Sequence, residues 1–382
     1  MPAKRFPPMV LVVLAVVTAF AACRRERSFT ATTKDGVRVV HNLRPASSDA
    51  VARLQFVRQI GRLEAEAKEE MFAFPIHAAR DYGGNLYVLD SKDNCIKKFA
   101  PDGRFLLQFG RHGQGPGEFQ YPMMLGVAGE NRLLVHGMDS AVQIFDFEGR
   151  FIARFQMGEY EGLFLKAMDS GKVVGYAMKP GGENTPENKV LKVYDLQGKA
   201  LHHFGEPLLL GKAMDSWNAN FLSLTVDAED HIYAAFSYQN RIEKYAPDGR
   251  LLMTIDRVLP FPVEHKTVME TMEIRGQARQ VERLRSTLVS RGIGVDARGR
   301  IWVLTATRQP PETITRDTYV PQEYSAFEVY EPDGILSGRV PLPEILKSFD
   351  NFFMSQDSVY FLDPYGQCCV FEFKVADGTS KP

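Results

Sequence analysis

An all-β fold, a six-bladed β-propeller, is predicted by three observations. The first is a recurring turn: an aromatic, two spacers, an acid or amide, then Gly, at Phe99…Asp102-Gly103, Phe145…Glu148-Gly149, Tyr194…Gln197-Gly198, Tyr245…Asp248-Gly249 and Tyr330…Asp333-Gly334, and with one inserted residue at Phe373…Asp377-Gly378. The second is the material between those turns, units of roughly 45 residues made of short β-rich runs, which is the period of propeller blades. The third is a lone strand pattern at 54–61, LQFVRQIG, which repeats FLLQFG of residues 105–110 but has no strands of its own blade before it. The C-terminal unit conversely shows strands at 358–363 and 368–373 and lacks a fourth. The N-terminal strand is therefore expected to complete the C-terminal blade, which removes the free edge between the first and last sheets.

Residues 81–122 show three strands of the unit with their turns. Runs at 85–90, 94–99 and 105–109 carry Leu86, Val88, Ile96 and Phe99, with DYGG and PDG supplying the turns. The same grammar places second strands at 132–135, 172–177, 231–236 and 300–304. Third strands fall at 142–145, 191–194, 241–245 and 326–330. Inner strands are expected near 76–80, 124–128, 164–168, 222–227, 292–296 and 352–355. This stretch, GNLYVLD…NCIKKFAPDGRFLLQFG…GQGPGEF…P, resembles the NHL-type repeat of six-bladed propellers, and the likeness extends loosely over residues 54–378.

In a four-stranded antiparallel meander, turns after the first and third strands share one face of the disc, and those after the second and fourth share the other. The first set is tight and repetitive. The second holds the long segments 111–121, 179–189, 205–220, 257–290 and 305–325, so this face is expected to bind. Its candidate anchors are Tyr121, Trp217, Arg308, Arg316, Tyr319 and Tyr324. In 257–290, the spacing of Val268, Met272, Val281, Leu284 and Leu288 predicts a helical insertion over the ring, divided at Gly276.

The N-terminus reads differently. Lys4 and Arg5 precede an apolar run at 9–20, too short for a permanent span and suited to a secretory signal. Phe20-Ala21-Ala22-Cys23 resembles the bacterial lipobox, which implies cleavage before Cys23 and a diacylglycerol on its thiol. The resemblance makes residues 1–22 a lipoprotein-type signal peptide and the mature protein membrane-anchored at the cell envelope. Arg24 after the Cys is similar to outer-membrane cargo in a diderm host. An ordinary signal peptide cut near Ala22 is the other reading. Residues 23–36 read as a polar tether, 37–53 as an extended peripheral segment.

With a formal net charge of −1, the chain lacks the general basic surface of a nucleic-acid partner. Four cysteines, of which Cys368 and Cys369 are neighbours on one strand, do not make a disulfide framework. The Gly-rich RHGQGPGEF at 111–119 is a turn rather than a phosphate cradle, since Pro116 removes an amide and Glu118 adds a negative charge. The histidines show no metal-site spacing, and no serine lies in a nucleophile elbow. Candidates for the axial channel are His77, His136, Ser223 and Asn351, with Lys166 and Ser355 also on inner strands. That set is poor in carboxylates and indicates no metal or cofactor. Two functions follow: a lipid-anchored scaffold binding a protein, peptide or glycan through its long-loop face, or a hydrolase or lyase of the lactonase or amidating-lyase type, with its metal in the channel.

Overall fold

The computed structural model describes residues 27–378, except 49, 63–66, 159–162, 186, 275 and 312. The signal-peptide, lipobox and Cys23 expectations lie outside these residues.

Six sheets of four antiparallel strands form the ring. Blade 1 contains Pro75–Arg80, Leu86–Asp90, Cys95–Phe99 and Phe105–Phe109. Blade 2 contains Pro122–Val127, Leu133–Gly137, Ala141–Phe145 and Phe151–Gln156, and blade 3 Leu163–Ala167, Val173–Tyr176, Leu191–Tyr194 and Ala200–Phe204. Blade 4 is built from Leu222–Val226, Ile232–Phe236, Ile242–Tyr245 and Leu251–Arg257, and blade 5 from Ser290–Val295, Ile301–Ala306, Ser325–Tyr330 and Leu336–Pro341. Blade 6 joins Asn351–Ser355, Ser358–Asp363 and Cys369–Asp377 to the N-terminal strand Ala52–Ile60. Each inner strand touches the inner strands of both neighbouring blades, and blade 6 returns to blade 1, so the ring is closed as the sequence predicts.

The second and third strands lie between neighbouring blades and are buried on both faces, as in Leu86–Asp90 and Cys95–Phe99. The second strands accordingly read as nearly continuous apolar runs and the third strands as apolar runs broken by one or two buried polar residues, such as Lys97 and Lys98, whereas the outer strand Phe105–Phe109 alternates between half-buried and exposed. Six apolar clusters, one per blade interface, form the core among the described residues. Cys95, Cys368 and Cys369 are buried thiols within it, and burial, with the charge of Asp90, pushes the Cys95 thiol up to about 12.

The recurring turn glycine has two reasons to be Gly. Gly149 has φ of 77° and Gly249 of 85°, left-handed values that side chains rarely adopt. A Cβ on Gly149 would also lie 2.5 Å from the Phe109 ring, and one on Gly249 2.6 Å from the Phe204 ring. The turn is where the preceding blade's outer strand docks. A second repeated device closes the turn after the inner strand: Tyr87 Oη donates to Asp81 at 3.0 Å, Tyr233 Oη to Asp227 at 2.9 Å and Trp302 Nε1 to Asp296 at 3.0 Å.

Two expectations are corrected. The insertion at 257–290 is not helical but a long hairpin, His265–Ile274 paired with Gln277–Ser286. Its Thr and Val content favours strand, Gly276 turns the chain at φ of 75°, and Glu270 pairs across the strands with Arg283 and Arg285. The segment read as a tether over 23–36 contains a strand, Phe29–Lys34, whose partner Val37–Asn42 lies parallel to the outer strand of blade 4. The N-terminal segment thus widens one blade before closing another.

Candidate functional site

The inner strands surround an axial cavity of about 630 Å³. Much of its wall is apolar, including Ile76, Met124, Leu224, Ile293 and Met354, with Ser223, Thr225, Asn351 and Ser355 between them. Ser223, Asn351 and His77 therefore reach the channel wall as the sequence suggested. His136 does not: it belongs to the second strand of blade 2, buried with neither ring nitrogen hydrogen-bonded. Burial, against the weaker pull of Asp139, lowers it to about 4. The correction is one of strand order, since a residue on the second strand has other sheets on both sides of it.

His77 from blade 1 and Lys166 from blade 3 both line this channel, and the charge of Lys166 is felt at His77. These sheets are not neighbours, since blade 2 stands between them, so the two side chains share the void rather than a sheet interface. His77 is 3% exposed and both its ring nitrogens lack a hydrogen-bond partner. Burial, then the charge of Lys166, holds His77 well below its usual value, against a smaller opposing effect of the Ala78 backbone. Burial alone lowers Lys166 to about 8 from 10.5. The sign of the linkage follows: the unfolded chain binds more protons between those values, so stability rises with pH across that window and the full penalty is felt below it. Lys166→Met is expected to stabilise the protein at pH 7 by about 1–3 kcal/mol, discounted for channel water. Thermal melts from pH 7 to 10.5 should show that gain disappearing.

On the long-loop face a ladder of planar groups begins at Arg291, which lines the channel. Arg291, at the start of the blade 5 inner strand, hydrogen-bonds the Tyr319 hydroxyl, and its guanidinium lies 5.2 Å from the ring centroid. Tyr319 stacks on Tyr324 at 5.2 Å and 19°. Arg308 covers the Tyr324 ring at 4.6 Å. The same blade 5 loop also reaches blades 6 and 1: the Arg316 guanidinium lies 3.7 Å from the Tyr365 ring centroid, and Tyr365 meets Phe74 edge-on at 5.2 Å. Asp350 stands in the channel wall: the protein around it raises its carboxyl, while the charges of Arg291 and Arg316 oppose that rise.

Four sequence candidates, Arg308, Arg316, Tyr319 and Tyr324, are thus brought together. Two are not. Trp217 is half-buried in the interface of blades 3 and 4, its Nε1 donating to the Met178 carbonyl at 3.1 Å and its ring against Phe221 at 4.6 Å. It is a packing residue. Tyr121 is 66% exposed on the linker between blades 1 and 2, its amide donating to Asn94 Oδ1, and no ring contact joins it to the ladder among the described residues. Arg291, Asp350, Phe74 and Tyr365 were missed. Tyr365 was within reach, since the turn after a second strand belongs to the same face as the long loops.

Among the described residues, one group of three metal-type donors has its ligand atoms within 4.8 Å of one another: Asp227, Glu229 and His231. It lies on the tight-turn face, away from the channel mouth. Asp227 already accepts from the Glu229 and His231 amides, from Tyr233 Oη and from His231 Nδ1, which is how such turns are capped.

Six four-stranded sheets closed around an axial channel define a six-bladed β-propeller. A family model, DUF5128, described as a 6-bladed beta-propeller, matches residues 53–275, more than half of the chain, and the chain belongs to that family. No curated protein matches it by sequence. Among solved structures it is similar to a member of the duf4221 family from Bacteroides vulgatus, with a TM-score of 0.58 and 10% identity over 86% of this chain and 100% of that one. It is also similar to a putative exported protein from Bacteroides fragilis, with a TM-score of 0.54 and 9% identity over 89% of this chain and 99% of that one. Virginiamycin B lyase from Staphylococcus aureus has 10% identity over 85% of this chain and 99% of its own, and a TM-score of 0.47, too loose for any argument about activity.

Proposed function

We propose that the protein is an NHL-like, lipid-anchored binding protein of the cell envelope that takes a protein, peptide or glycan at the long-loop mouth of its channel. The observation that carries this reading is the Arg291–Tyr319–Tyr324–Arg308 ladder. Rings and guanidinium planes already stacked on one another lose little freedom when a ligand adds a further layer, which is why Tyr and Arg dominate binding anchors. The short apolar run at 9–20, followed by Ala21-Ala22-Cys23, supports export and anchoring, with the ring held by its N-terminus near a membrane.

A metal-dependent hydrolase or lyase would gather acidic or His ligands at one axial point. This channel instead sets its His beside the charge of Lys166, a cation that repels a metal ion.

Arrays of oligosaccharides and of acidic, basic and neutral peptides test the proposal. Specific retention of one class is expected, weakened about tenfold or more by Tyr319→Ala, a loss typical of an anchor residue. Ile152→Ala, 50% exposed on the outer strand of blade 2 and away from the channel, is the control and should leave retention unchanged. No class above background, or equal loss in both variants, would refute the reading.

A further inference from the structure

Lys166 and His77 pose a problem that packing does not answer. His77 is buried with neither ring nitrogen hydrogen-bonded, Lys166 is half-buried with no ion-pair partner among the described residues, and both face one void. The acids of the channel wall serve other groups. Asp169 accepts from the Tyr82 hydroxyl at 2.6 Å at the tight-turn end, and Asp350 lies with Arg291 and Arg316 at the opposite mouth. Interior cations without a counter-charge are costly, and local rules of this kind are broken mainly at functional sites. The rest of the wall is mainly apolar, with Met124, Phe164, Leu224 and Phe353 beside the few small polar groups Ser223, Thr225, Asn351 and Ser355, and the cavity has the size of a small-molecule site.

We propose that the channel admits a small organic monoanion, a carboxylate with an apolar body, whose head group is the counter-charge of Lys166 and accepts a hydrogen bond from His77. This rests on the mouth being the way in to a binding site. The charge count selects a monoanion. Arg80 and Arg291 also line the cavity but are balanced by Asp169 and Asp350, so with Lys166 mainly ammonium and His77 neutral at pH 7 the wall carries one net positive charge, with one N–H donor on His77. A phosphate dianion would leave one negative charge unmatched in an apolar wall. The apolar body follows from the wall, where a highly hydroxylated ligand would lose its hydrogen bonds.

Calorimetric titration of the purified full chain at pH 7 with octanoate and 4-phenylbutyrate, each beside its neutral amide, tests this. At least one carboxylate should bind with unit stoichiometry and tenfold or more tighter than its amide. Lys166→Met should erase that preference, and Lys166→Arg should keep it. Equal affinity for acid and amide, no binding of either acid, or a preference that survives Lys166→Met would overturn the proposal. So would octyl phosphate binding more tightly than octanoate. The mouth is judged separately: loss of array retention in Tyr319→Ala without any preference for carboxylates sinks this inference alone, while a carboxylate preference with no effect of Tyr319→Ala on retention sinks the mouth reading alone.

Discussion

Glu328→Gln is expected to destabilise the protein by about 3–5 kcal/mol, because it leaves the Arg257 guanidinium buried and unpaired. Arg257 ends the outer strand of blade 4 and Glu328 lies on the third strand of blade 5, with Arg257 Nε donating to Glu328 at 2.7 Å and each side chain 1% exposed. The other guanidinium nitrogens donate to Asn240 Oδ1 at 3.2 Å and to Ser290 Oγ and Thr305 Oγ1 at 3.1 Å. Tyr330 Oη and Arg339 donate to the same carboxylate at 2.9 Å. Burial pushes the Glu328 carboxyl up, but Arg257 and Arg339 outweigh it and hold it below 4.5. The stabilisation is therefore present above that value and lost as pH falls through the lower folded one. An arginine cannot shed its proton to escape, so the neutral variant should be weakened throughout the neutral range. Urea unfolding would measure it, and Arg257→Met/Glu328→Leu should recover most of the loss, as removing both charges removes the penalty. A single variant within about 1 kcal/mol of the parent would show that the pair does not pin these blades together.

Removing the N-terminal strand should have an effect of similar size. Ala52–Ile60 pairs with Cys369–Asp377, buries Ala52 and Ile60, sets Phe56 edge-on to Phe373 at 5.7 Å and joins Arg58 to Glu372 at 2.8 Å. A chain beginning after Gly61 would expose the edge of blade 6 and unpair the ring. Its melting midpoint is expected to fall by about 10 °C or more, with aggregation through the open edge. A synthetic peptide of residues 51–61 added in trans should restore the transition by strand addition. Rescue separates lost closure from general misfolding; an unchanged midpoint without the strand would show that the ring does not depend on it.

The ring was legible because its grammar is repeated. A turn glycine that must receive a neighbouring Phe, and second and third strands buried on both faces, impose the same residues blade after blade. Segments outside the repeat were read less well. In 257–290, intermediate residues four apart imitate a helix on a hairpin whose faces are both largely exposed, so no strong alternation marked the strands. Phe29–Lys34 was missed although Asp35-Gly36, with φ of 52° and 81°, is the dipeptide expected of a tight hairpin. The site was half legible. Arg308, Arg316, Tyr319 and Tyr324 follow from which loops share a face, but which of those residues stack on one another depends on how the loops fold back. Lys166 could be placed on an inner strand from sequence, whereas its lack of a counter-charge is a property of the whole ring.

Hydrogen–deuterium exchange on the purified protein, with and without the array ligand retained most strongly, is the most direct measurement of where this propeller binds. The account expects slower exchange in residues 287–292, 316–325 and 348–353, around the long-loop mouth. Protection confined to the tight-turn face, at 227–231 and 296–300, would contradict it.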